Sequence, residues 1–125
     1  MSAITDLDAD TLSRAIHARQ LSCREVMQAT LARIHALNPR FNAIVNLAPD
    51  DRLLAEADAR DAELAQGRSR GWLHGIPQAI KDAAPAQGFP TTFGCTLLKD
   101  SVAAEDGLMA GPKACNKGYL PEMSP

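Results

Sequence analysis

The sequence predicts an α/β chain. Three observations carry that reading. Residues 7–37 form a helical pair with cap signals at Asp8 and Ser22. An Ala-rich third helix starts at Pro49 and Asp50 and runs to about Gln66. Two short apolar runs, 41–47 and 76–81, read as strands.

The first helix opens at Asp8, whose carboxylate can cap it. Leu7 precedes the cap and Leu12 follows one turn in, the arrangement of a hydrophobic staple. Leu12, Ala15 and Ile16 share a face. Residues 18–21 interrupt the pattern. Ser22-Cys23-Arg24-Glu25 is a capping box, in which the Ser and Glu side chains satisfy each other's backbone N–H groups, and Leu21 and Val26 fall at the staple positions. Met27, Thr30, Leu31, Ile34 and Leu37 continue the apolar stripe. Asn38-Pro39 predicts its end, because the residue before a proline is pushed out of the helical region.

In the run 41–47, Phe41, Ala43 and Val45 alternate, and Ile44 breaks the strict period. The third helix has a weak face at Leu53, Leu54, Ala57 and Leu64. Its charges read as a solvated face, with Glu56 and Arg60 ordered for an i,i+4 pair and Gly67 as the stop. A loop, Gly67 to Gly71, leads into the apolar run ending at Lys81. Residues 83–92 read as loop, with Pro85, Gly88 and Pro90 as breakers. Beyond Asp106 glycines and prolines break every candidate element, so the C-terminal stretch reads as irregular.

Composition excludes several functions. Thirteen basic residues stand against fifteen acidic ones, a net charge of -2, so the basic excess of a nucleic-acid binder is missing. No apolar run approaches the about 18 residues of a membrane span, and residues 1–10 lack the basic and apolar regions of a secretory signal. Cys23, Cys95 and Cys115 are odd in number and widely spaced. They predict neither a disulfide scaffold nor a structural zinc site, and a reducing cytoplasm is the default location.

Four features bear on chemistry. His17, His35 and His74 form no metal-binding pair, and read as surface or boundary histidines; no metal is expected. Cys23, near a helix N-terminus, has one hint of reactivity and reads more simply as a small, semi-buried residue. The glycines at 67, 71 and 75 lack the Lys-Ser or Lys-Thr of a phosphate loop, so no nucleotide cofactor is expected. Lys81 ends the apolar run Ile76-Pro77-Gln78-Ala79-Ile80. A lysine at a buried strand end loses hydration, which favours its neutral form, and a neutral lysine can serve as general base for a serine nucleophile. The simpler reading of Lys81 in isolation is an ammonium that snorkels to water.

The whole segment changes that balance. Leu73-His74-Gly75-Ile76-Pro77-Gln78-Ala79-Ile80-Lys81-Asp82, followed by Gly88-Phe89-Pro90-Thr91-Thr92-Phe93-Gly94, resembles the amidase signature family, in which an H-G-I-P-x-A-I-K-D stretch precedes a G-x-x-T-T-x-G loop. Residues 21–43, with Leu37-Asn38-Pro39 and Asn42-Ala43, resemble the family's N-terminal helix and its L-N-P-x-x-N-A ending. The resemblance covers roughly residues 7–105. It implies the first strand or strands of a large mixed sheet and hydrolysis or transfer of carboxamide groups by a Ser–cis-Ser–Lys triad, with Lys81 as the base. It implies a small-molecule amide substrate and no cofactor.

The sequence also departs from the family. Both triad serines belong to Gly-Ser-rich motifs expected beyond residue 125, and neither Ser101 nor Ser124 has such a setting. After Glu105-Asp106 the family pattern is lost, with Pro121-Glu122 as a faint echo. Residues 1–105 therefore read as an N-terminal amidase portion and 106–125 as a divergent, disordered tail, with a frameshift or a gene-model break expected near 108–111. Three roles compete: an amidase portion inactive by itself, an interaction module that pairs with a separate downstream amidase chain or with itself, and a partly folded remnant.

Overall fold

Helix α1, Ala9–His17, begins where the Asp8 carboxylate accepts the Thr11 N–H at 2.8 Å and the Thr11 hydroxyl at 3.0 Å. The cap removes one of the orphan donors that every helix N-terminus carries. The molecule is described by a computed structural model over residues 3–107. Helix α2, Cys23–Phe41, has the full capping box: Glu25 N–H donates to Ser22 Oγ at 3.1 Å and Ser22 N–H to Glu25 Oε2 at 2.8 Å. The remaining first-turn donors are met from another element. Asp61, on helix α3 (Asp50–Ala65), accepts from Cys23 N–H at 2.7 Å and Arg24 N–H at 3.1 Å. A negative charge there also opposes the positive end of the helix dipole.

These contacts lock α2 to α3 around one apolar cluster. Leu12, Ile16, Cys23, Val26 and Ala57 are buried, with Ile4, Leu7, Leu21, Met27, Leu64 and Ile76 packed against them. Each fully buried Val or Ile contributes roughly 1.5–3 kcal/mol relative to exposure. Arg19, in the turn between α1 and α2, donates to Leu64 O at 2.8 Å and so adds a second bond, beside that from Gly67 N–H, to a carbonyl at the end of α3. The chain divides into two compact units, Met1–Pro77 and Gln78–Pro125.

Four sequence expectations need correcting. Helix α2 passes through Pro39 and ends at Phe41. Asn42 closes it in the left-handed conformation (φ 48°), its N–H bonded to Asn38 O at 2.6 Å. The Asn38 side chain donates to Ile44 O and accepts Ile44 N–H, both at 2.9 Å, and ties down the exit. The expected strand at 41–47 is therefore the end of a helix and an irregular segment. Phe41 and Val45 are exposed, and among the described residues no neighbouring strand pairs their backbone.

The expected strand at 76–81 is not formed either. Ile76 N–H closes a turn onto Leu73 O at 3.1 Å, Pro77 has no N–H to give, and residues 78–81 are exposed. Among the described residues no strand occurs; one isolated antiparallel bridge joins Pro90 and Val102. Finally, Glu56 pairs with Arg52 at 3.2 Å, because Arg60 turns to Glu63 at 2.8 Å. Of the tail, Asp106 accepts Gln87 N–H at 2.7 Å and Gly107 donates to Pro85 O at 2.7 Å. Residues 108–125, with Cys115, the expected frameshift or gene-model break and the Pro121-Glu122 echo, lie outside the described residues.

Candidate functional site

The motif 74–82 is held by two separate sets of contacts. Its first half is fastened to all three helices. From α1, the Ser13 hydroxyl donates to Trp72 O. From α3, Glu63 accepts a two-pronged contact from Arg70, at 2.7 and 2.6 Å, and a further bond from Arg60 at 2.8 Å. These guanidinium bonds, Arg70 above all, hold the Glu63 carboxyl down to about 2.

His74 is buried, which corrects the surface or boundary reading. Its Nδ1 accepts Arg70 N–H at 3.0 Å and its Nε2 faces Arg60 O at 2.9 Å. A backbone N–H only donates and a carbonyl only accepts, so the ring is neutral with its proton on Nε2. It is a bridge between α3 and the motif. Gly75 follows with φ +75°, and a Cβ there would lie 2.2 Å from Cys23 Sγ. Only glycine allows both the conformation and the approach. Burial is the main reason the Cys23 thiol is pushed up to about 12, with the Asp61 carboxylate adding to it. That is an inert thiol, in line with the structural reading of Cys23.

The second half carries Lys81. It is exposed, and its carbonyl accepts Ala83 N–H at 2.7 Å and Ala84 N–H at 2.9 Å. The desolvation expected from a buried strand end is therefore not supplied by the described residues. Next to it, Asp82 closes a clasp on the following loop. Its carboxylate accepts Thr92 N–H at 2.8 Å and the Thr92 hydroxyl, and its carbonyl accepts Phe93 N–H at 3.2 Å. Gly94 N–H donates to Thr92 Oγ1 at 3.2 Å. The Thr92 bonds lower the Asp82 carboxyl below its ordinary range. Phe93 and Gly94 both take positive φ, 51° and 73°, which the clasp holds in place.

Sequence reading singled out Lys81 and missed the residues that shape its surroundings. Asp82 and Thr92 are ten positions apart with no periodic signal. His17 and His35 lie apart, His35 paired with Asp50 at 2.8 Å. Among the described residues no group of three or more His, Cys, Asp or Glu is placed to hold a metal, and no helix is long and apolar enough to cross a membrane.

Comparison with known proteins points one way. The Amidase family profile matches residues 25–111. The chain is 42% identical, over 130 aligned positions, to a glutamyl-tRNA(Gln) amidotransferase component from Granulibacter bethesdensis, covering 99% of this chain and 26% of that one. It is 34% identical to an acylamidase from Rhodococcus erythropolis, covering 82% of this chain and 21% of that one. The crystal structure of PAM12A superposes with a TM-score of 0.70 at 39% identity, covering 78% of this chain and 20% of that chain. The chain thus spans about a fifth to a quarter of the length of these relatives. The profile match takes in both the 74–82 motif and the 88–94 loop, and by it the chain belongs to the Amidase family.

Proposed function

We propose that this chain supplies the general-base lysine, Lys81, of an amidase that cleaves a carboxamide C–N bond through a Ser–cis-Ser–Lys triad. The observation that carries the reading is the position of Lys81 in the His74–Asp82 motif within the family match. The clasp from Asp82 to Thr92 supports it, since it fixes the backbone on one side of the lysine. In this reading residues 1–105 are the N-terminal portion of the catalytic fold, and the run ending at Lys81 joins a mixed sheet supplied by the rest of a family-length chain.

Neutral Lys81 takes a proton from the bridging serine, which takes one from the nucleophilic serine as it attacks the amide carbonyl. The amine leaves protonated and water releases the acyl group. The substrate is a small carboxamide, the setting cytoplasmic, and the chemistry uses no cofactor. The chain by itself is inactive and pairs with residues of the missing type, in one chain or two.

The test is a chimaera in which this sequence replaces the matching segment of the Granulibacter relative. Amide turnover is expected, with Lys81→Ala lowering kcat by roughly 10²–10⁴-fold, the scale of lost general-base catalysis. A chimaera whose turnover survives Lys81→Ala unchanged overturns the assignment.

A further inference from the structure

We propose that Ser69 is an acyl-accepting nucleophile with His17 as its general base, a site separate from Lys81 and independent of the amidase reading. Two observations meet here. Gly67-Arg68-Ser69-Arg70-Gly71 has the G-x-S-x-G spacing, although here it follows a helix instead of a strand and Ser69 lies just past the turn that closes that helix. Gly67 N–H on Leu64 O at 3.0 Å and Arg68 N–H on Glu63 O at 2.9 Å close α3, and Ser69 follows that turn between two glycines of positive φ, Gly67 (73°) and Gly71 (105°).

The second observation is the partner. His17 Nε2 lies 2.8 Å from Ser69 Oγ, and its Nδ1 lies 2.8 Å from Ser13 O. The Ser13 carbonyl can only accept, so in the neutral ring Nδ1 holds the proton and Nε2 turns its lone pair to the Ser69 hydroxyl. Nucleophile, base and orienting group thus stand in a chain of hydrogen bonds. Gly71 N–H donates to Ser69 Oγ at 3.2 Å, which favours alkoxide character there. The Gly71 carbonyl, also at 3.2 Å, is the hydroxyl's alternative acceptor when His17 is protonated. The His74 ring stands 6.1 Å from that of His17. Arg68 and Arg70 flank the serine in sequence.

Both groups are exposed, so the class of substrate is an activated ester that needs no deep pocket. Ser69 Oγ bonds to the acyl carbon, its proton passes to His17 Nε2, the ester C–O bond breaks and the phenolate or alkoxide leaves. His17 then gives its proton to solvent, leaving an O-acyl serine.

The full chain, incubated with p-nitrophenyl acetate, is expected to release p-nitrophenolate as a burst and to carry one acetyl group on the peptide containing Ser69. Ser69→Ala removes that label. His17→Gln slows it by roughly 10²–10⁴-fold while leaving the circular dichroism unchanged. In the unaltered protein the acylation rate falls in step with His17 protonation followed by NMR, a readout that does not depend on a variant folding. Label found on lysines alone, Lys81 included, or a Ser69 rate indifferent to His17→Gln and to His17 protonation, overturns the proposal.

Discussion

Gly75→Ala is expected to destabilise the first unit by about 2–5 kcal/mol. Two costs add. A non-glycine residue in the left-handed region costs roughly 1–2 kcal/mol, and φ at Gly75 is +75°. The new methyl would also sit 2.2 Å from Cys23 Sγ and 3.0 Å from Cys23 Cβ. Cys23 cannot retreat easily, because it is fully buried and its N–H is held by Asp61 at 2.7 Å. Overpacking of this kind costs about 1–3 kcal/mol. Small domains have only about 5–15 kcal/mol in total. The assay is urea unfolding followed by circular dichroism. With a slope of about 1–3 kcal/mol per molar urea, a loss near 3 kcal/mol lowers the midpoint by about 1–3 M. The same change in a Cys23→Ala background largely separates the two costs, since removing the sulfur relieves the 2.2 Å contact and leaves the backbone strain and the 3.0 Å approach to Cβ. The cost of Gly75→Ala should then shrink by about 1–3 kcal/mol. An equal cost in both backgrounds would refute the claim that the glycine is required by the cysteine behind it.

Other outcomes follow from single contacts. The Glu63 carboxyl is held down to about 2 by Arg70 and Arg60, so its contribution is full above its ordinary value of 4.5 and is lost as pH falls from there toward 2; Glu63→Gln should flatten the acid side of a stability-against-pH curve. Ser22→Ala removes the capping-box acceptor of α2 and should cost about 1 kcal/mol in a thermal melt. Iodoacetamide should label exposed Cys95 in the native protein and spare Cys23, whose thiol is buried and pushed up to about 12; equal labelling of both would show that the Cys23–Gly75 packing opens readily.

The helices were legible because their signals are local. Asp8 and the Ser22–Glu25 box act within one turn, and each is found where the sequence places it; the expected stripe of α2 is buried at Leu31 and runs out to an exposed Leu37. The strands were not legible, because alternation in 41–47 and apolarity in 76–81 say nothing about whether a partner strand is present. The end of α2 was misplaced for a related reason: Asn38 bonds to Ile44 across the turn, and that pair outweighs the local preference of Asn38-Pro39. At the site, the contacts made by the motif's members depend on distant groups. His74 is a buried bridge because Arg60 O and Arg70 N–H lie on either side of its ring, which no spacing rule reveals.

The motif therefore joins two kinds of requirement in nine residues. Its first half is conformational: a neutral histidine with both nitrogens used, then a glycine pressed on a cysteine. Its second half, Gln78 to Asp82, is exposed up to Lys81 and anchored beyond it by the Asp82–Thr92 clasp. A lysine that serves as a base must spend part of its time without its proton, and water works against that by solvating the ammonium. On the function proposed above, the groups that strip this water from Lys81 cannot be the described ones, since they leave it exposed. On that reading they come from residues outside the described ones, and this chain spans only about a quarter of its relatives' length. The second unit offers them apolar ground, with Ile80, Phe93, Leu97 and Val102 all exposed. Covering those side chains and desolvating the lysine would then be one event, so that assembly of the fold and activation of the base are coupled.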